Sequence, residues 1–170
     1  MRSKVLIMAH AMLITMVLVF SMPAHAEKHD LLTPLLVDIN GWEGEKAEGM
    51  SMDMGNMKMI TATRNYIKGN KDITAVVFIG NSAMTQGKMQ GMKMETTDSR
   101  INIKEIDGFQ TQSVYDKKDK SGSVVIFLSH GEASGTIFTL SYNNIEEDKA
   151  MELAKKFDWK KMKATVEKLR

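Results

Sequence analysis

Two glycine-asparagine pairs, Gly55-Asn56 and Gly69-Asn70, constrain this chain more than any other feature. Glycine-asparagine between alternating apolar segments is a two-residue hairpin signal, because glycine enters the positive-φ half of backbone space without steric cost. Two such turns define three consecutive antiparallel strands and their registers. At the first, Met54 falls opposite Met57, Asp53 opposite Lys58, Met52 opposite Met59 and Met50 opposite Thr61. At the second, Tyr66 falls opposite Ile73, Arg64 opposite Ala75, Ala62 opposite Val77 and Ile60 opposite Ile79. Side chains alternate across a strand, so the Ile60–Tyr66 set forms one mostly apolar face, the expected core face. Met50, Met52, Met54, Met57 and Met59 then share the other face. Asp53 and Lys58 form an opposite-charge pair on the reverse of the tip. Val76 and Phe78 also lie on the methionine face, so it is not fully polar.

The N-terminus reads as a targeting segment. Arg2 and Lys4 precede an apolar run from Val5 to Met22, Pro23 breaks it, and Ala24-His25-Ala26 fits a cleavage site. The expectation is a signal peptide over 1–26, cleaved to leave no membrane anchor, and a single domain over 27–170 in the periplasm or secreted. The competing reading is an uncleaved anchor, because the run approaches the roughly 18 residues of a candidate span. Omitting Arg2 and Lys4 leaves 21 basic and 21 acidic residues, so the domain carries no net charge and nothing in it points to nucleic acid. The chain contains no cysteine, which excludes disulfides, thiolate metal sites and a cysteine nucleophile.

The remaining segments complete an α+β plan. Residues 29–37 predict a short helix limited by Pro34, and Trp42 a core anchor. Residues 81–99 predict a short helix from Ala83 followed by a loop. Strand patterns return at 100–106, pass a type I′ signal at Asp107-Gly108, and continue over 109–117. KKDKSG at 117–122 is a solvated turn. Residues 124–129 are apolar on both faces and predict a central strand, and 136–142 another. Asn144 is the expected cap of a helix carrying Ala150, Leu153, Ala154 and Phe157. Asp158 is the expected cap of a second, carrying Trp159, Met162 and Val166. The fold class is therefore α+β: a mainly antiparallel sheet of about six to seven strands with C-terminal helices packed on one face. The order of elements, with Gly41-Trp42 after a short helix, resembles the PsbP-like group of small exported domains.

Catalytic motifs are missing from the sequence. After residue 26 it holds two histidines, His29 and His130, and no GxSxG, HExxH or glycine-rich phosphate loop. The expectation is a protein that is not an enzyme. Methionine is the unusual component: nine of the eleven methionines after residue 26 lie between 50 and 94. The thioether is neutral, soft and polarizable, and selects Cu(I), and by the same softness Ag(I), over hard divalent ions. Met50, Met52, Met54, Met57 and Met59 are the first candidate metal ligands. Met84, Met89, Met92 and Met94 are a second group, read as a lid or second site. Both segments resemble the methionine-rich motifs of periplasmic copper-resistance and copper-delivery proteins, which often interleave histidine where this chain has none. The resemblance implies Cu(I) or Ag(I) as the bound ion and no other cofactor. The alternative is a periplasmic structural or protein-interaction domain whose methionines pack as adaptable core filler or buffer oxidants.

Overall fold

The computed structural model describes residues 27–55, 57–81, 91–129 and 134–169. The signal segment 1–26, the helix expected from Ala83, Met84, Met89 and His130 lie outside the described residues.

Among the described residues, nine strands form one antiparallel sheet. They are β1 (Glu43–Gly44), β2 (Glu48–Met54), β3 (Met57–Lys68), β4 (Lys71–Asn81), β5 (Lys93–Glu95), β6 (Ser99–Ile106), β7 (Phe109–Asp116), β8 (Ser121–Ser129) and β9 (Ser134–Asn143). The order is β1-β3-β4-β9-β8-β7-β6-β5, with β2 also paired to β3. Two meanders, β1–β4 and β5–β9, are thus joined where β4 pairs with β9.

The α+β class and the antiparallel pairing match the expectation, but the strand count exceeds six to seven. Two short edge pieces account for the difference. β1 pairs Glu43 with Ile67 and Gly44 with Tyr66. β5 sets Lys93, Met94 and Glu95 opposite Asn102, Ile101 and Arg100. Lys-Met-Glu has little strand propensity of its own. Its pairing is held by tertiary contacts, with Glu95 bridging Arg100 at 2.9 Å and Lys117 at 3.0 Å.

Both hairpin registers follow the turn chemistry, from Met54↔Met57 to Met50↔Thr61 and from Tyr66↔Ile73 to Ile60↔Ile79. Gly55 and Gly69 have φ of 63° and 62°. Asp107 and Gly108 both have positive φ, as a type I′ turn requires. β8 lies between β7 and β9, the central place expected of a strand apolar on both faces.

The core face carries Ile60, Ala62, Tyr66, Ile73, Ala75, Val77, Val124, Ile126, Phe138, Leu140 and Tyr142, all buried. Helices α1 (Glu147–Ala154) and α2 (Trp159–Glu167) pack over it, mainly at β8. Phe157, between the helices, meets Phe138 at 4.8 Å and Tyr66 edge-on at 6.2 Å between ring centroids. Trp159 stands edge-on to Phe109 and donates its indole N–H to Ala154 O at 2.9 Å. Met162 is fully buried and Met151 packs against the core, so these two helix methionines are core filler.

Four local expectations need correction. The apolar stripe expected on α1 stops at Ala154, and Phe157 follows in the turn between the helices. The helix over 29–37 is instead two 3₁₀ turns, Lys28–Leu31 and Thr33–Leu35, because Pro34 starts the second and cannot extend the first. Trp42 is half-buried at the margin of the core rather than within it. Asn144 does not cap α1. It takes a left-handed φ of 56° and donates its side-chain N–H to Asn70 O at 2.8 Å, while Glu146 occupies the N-cap position. Asp158 does cap α2, accepting from Lys161 N at 2.8 Å. Among the described residues, no helix is long and apolar enough to cross a membrane.

Candidate functional site

The candidate site is the β2–β3 hairpin. Pairing of β3 with β4 begins at Ile60↔Ile79, whereas pairing with β2 runs on to Met54↔Met57. The tip is therefore a two-stranded ribbon at the sheet margin. Met52 sits opposite Met59, Met54 opposite Met57, and Met50 opposite Thr61. Residues directly opposite on one face stand about 4.5–5.5 Å apart at Cβ. That spacing lets flexible three-torsion side chains bring two sulfurs to one ion.

Exposure separates Met50, Met52, Met54 and Met59 from the core methionine Met162. Met54 is 61% exposed and Met50 46%, while Met52 and Met59 are half-buried. None of these four belongs to the buried core cluster. On the reverse of the tip, Lys58 Nζ lies 3.5 Å from Asp53 Oδ2, as the register predicts. Both groups are exposed, and such pairs contribute little.

The second methionine group stands elsewhere. Met94 pairs with Ile101 at the β5 edge, on the same face of the sheet as Thr61 and Phe78. Met92 O accepts from Ile103 N at 2.9 Å, and both Met92 and Met94 are exposed. In strand order β3, β4, β9, β8, β7 and β6 stand between β2 and β5. Met94 thus sits on the strand at the other end of the sheet order from the hairpin, and Met92 lies just before that strand.

His29 is the one described histidine, and it faces away from the thioethers. Its Nδ1 lies 3.0 Å from Ser51 Oγ, and its ring rests against Gly49. Gly49 and Ser51 pair with Ala62 and Ile60, so they belong to the core-face side of β2. Among the described residues no three His, Cys, Asp or Glu side chains converge in a way that would hold a metal ion.

Two arrangements were not legible in the sequence. The first is a polar network that ties α1 to the β5–β7 edge. Arg100 donates to Glu147 and Glu95, each at 2.9 Å, Ser113 Oγ donates to Glu147 at 2.8 Å, and Tyr115 Oη donates to Glu146 at 2.7 Å. Lys120 also meets Glu146 at 2.7 Å. The hydrogen bonds and charges of Arg100 and Lys117 pull the Glu95 carboxyl down to about 2. Burial, and then the bond to Glu146, push the Tyr115 phenol up to about 12, so it stays a donor. Every group named has a partner, which makes the network a tie rather than an open site. The second is an open cleft of about 430 Å³ lined by Asp107, Lys155, Asp158 and Lys160 together with the rings of Phe109, Phe157 and Trp159. Its charges are mixed and its three rings are nearly buried, so it presents little apolar surface.

No protein-family model, curated protein or solved structure matches the chain.

Proposed function

We propose that this protein is a non-enzymatic exported binding protein that holds Cu(I) or Ag(I) on the thioethers of Met50, Met52, Met54, Met57 and Met59. The observation that carries the reading is the exposure of Met50 and Met54 on a face where Met52 opposes Met59. An apolar side chain left in water gains nothing from packing, whereas a thioether in water is accessible to an ion. Neutral sulfur ligands suit a soft monovalent ion and discriminate against Zn(II), Mg(II) and Ca(II). The export reading rests on the basic, apolar and A-x-A pattern of residues 1–26. Met92 and Met94 would form a second position apart from the hairpin, because Met94 stands on, and Met92 just before, the strand at the other end of the sheet order.

The test replaces all five hairpin methionines with Leu and measures Cu(I) affinity by chelator competition under anaerobic conditions. Each Leu nearly conserves volume and costs less than about 1.5 kcal/mol even in a core. Loss of binding with an unchanged circular dichroism spectrum supports the reading. If the unaltered protein fails to withdraw Cu(I) from the chelator, the reading is wrong.

The same exposure favours a second reading, oxidant buffering, because accessible thioethers are the first to form sulfoxide. Under limiting peroxide that reading expects Met50 and Met54 to oxidise first, with no tight metal binding.

A further inference from the structure

Gly80 marks a place beside the methionine hairpin where the sheet surface lacks side chains. It pairs with Gly135, so two glycines stand opposite one another on β4 and β9. Gly80 follows Ile79, the last β4 residue paired with β3, at Ile60, so it stands where the methionine ribbon leaves the sheet. By alternation Gly80 belongs to the face of Phe78, Thr61 and Met59. The hollow is occupied from one side: a Cβ on Gly80 would stand 2.4 Å from Phe78 Cζ and 2.5 Å from Cε1. The Phe78 ring therefore lies down over Gly80 instead of standing upright from its strand. Phe78 itself pairs with Thr61, the residue that faces Met50. The ring is half-buried and keeps an open surface.

We infer that the Phe78 ring, laid over Gly80, is the sheet-side wall of the thioether site and selects a soft monovalent cation. This rests on the metal reading above. Three physical effects act together at such a wall. An aromatic face attracts a cation through its quadrupole. Sulfur makes favourable contacts at a ring edge, which would order the Met59 thioether. The ring also removes water from one side of the ion. Desolvation cost rises with the square of the charge, so an apolar wall penalises a divalent ion about four times as much as a monovalent one. Gly80 is the residue that permits the posture, since any larger side chain lifts the ring.

The test uses the chain from residue 27 onward, with Ag(I) as an air-stable probe and Cu(I) under anaerobic chelator competition. Phe78→Leu keeps an apolar side chain but removes the quadrupole, and Gly80→Ala displaces the ring while leaving it present. Both are expected to weaken Ag(I) and Cu(I) about five- to tenfold. Phe78→Trp adds an indole at the wall, and Ag(I) is expected to quench its fluorescence in proportion to site occupancy, after subtraction of the unaltered protein's Trp42 and Trp159 signal. This variant keeps the test decisive if Phe78→Leu or Gly80→Ala fails to fold. Unchanged affinity in the folded Leu and Ala variants, or an indole at 78 blind to Ag(I) on a protein that binds it, overturns the wall while leaving the metal reading intact. Absence of Ag(I) and Cu(I) binding by the unaltered protein overturns both.

Discussion

The imidazole of His29 lies directly against Gly49: a Cβ at that position would stand 2.4 Å from His29 Cδ2 and 2.8 Å from its Cβ. This contact seats the first 3₁₀ turn on β2 and fixes which face of the hairpin the histidine occupies. Gly49→Ala forces the whole turn away, because the clash reaches the base of the side chain and not only its tip. The expected loss is about 1–3 kcal/mol of unfolding free energy, read by urea denaturation. A stability within about 0.5 kcal/mol of the unaltered protein, the range of a surface substitution that disturbs nothing, would show that the turn is not seated there.

Since His29 faces away from the methionines, it is not expected to contribute to metal affinity. His29→Gln should leave Ag(I) and Cu(I) affinity unchanged. For the same reason affinity should stay level between pH 5 and pH 8, because thioethers carry no proton to compete with the ion, unlike imidazole or carboxylate ligands. A titration of affinity against pH that follows an imidazole would contradict this.

Arg64 ties the N-terminal segment to β3. Its guanidinium donates to Leu36 O and Glu45 O, each at 2.7 Å, pairs with Asp38, and sits over the Tyr66 ring. A lysine has a single donor head and cannot span these acceptors. Arg64→Lys should therefore cost about 1–3 kcal/mol, as expected where the carbonyl of buried Leu36 loses its partner. Thermal unfolding checks it, and rescue by Lys would refute the fork.

Acid should loosen the β5 edge. Glu95 titrates at about 2 in the folded protein, against an ordinary value near 4.5, because Arg100 and Lys117 hold its charged form. A depressed folded value means the stabilisation is complete above pH 4.5 and is lost as pH falls toward 2. Glu95→Gln should flatten the stability profile between pH 4.5 and pH 2 and leave its slope above pH 5 unchanged. Chemical denaturation across that range is the measurement.

Methionine substitutions should divide by location. Met50→Leu and Met54→Leu alter exposed side chains and should change stability by less than about 0.5 kcal/mol. Met162→Ala empties a fully buried place beneath β8 and should cost about 2–5 kcal/mol. Parity between the two classes would mean the hairpin methionines are packed like the core.

The sequence by itself determined the features that depend on neighbours along the chain. Glycine-asparagine turns and a two-residue period dictated both hairpin registers, the shared face of the methionines, the Asp53–Lys58 pair and the apolar face of Ile60 to Tyr66. Asp107-Gly108 dictated its turn, and Asp158 its helix cap. Tertiary structure alone decided the rest, because those features depend on residues far apart in sequence. The joining of β4 to β9 put the hairpin near one end of the strand order and Met94 at the other. Ion pairs with Arg100 and Lys117 made a strand of Lys93–Glu95 despite its weak propensity. The turn at Asn70 drew Asn144 away from its expected capping place. The methionines' exposure, the face taken by His29, and the ring of Phe78 over Gly80 arise from the same cause. Alternation tells which face a side chain takes, but only the assembled sheet decides what covers that face.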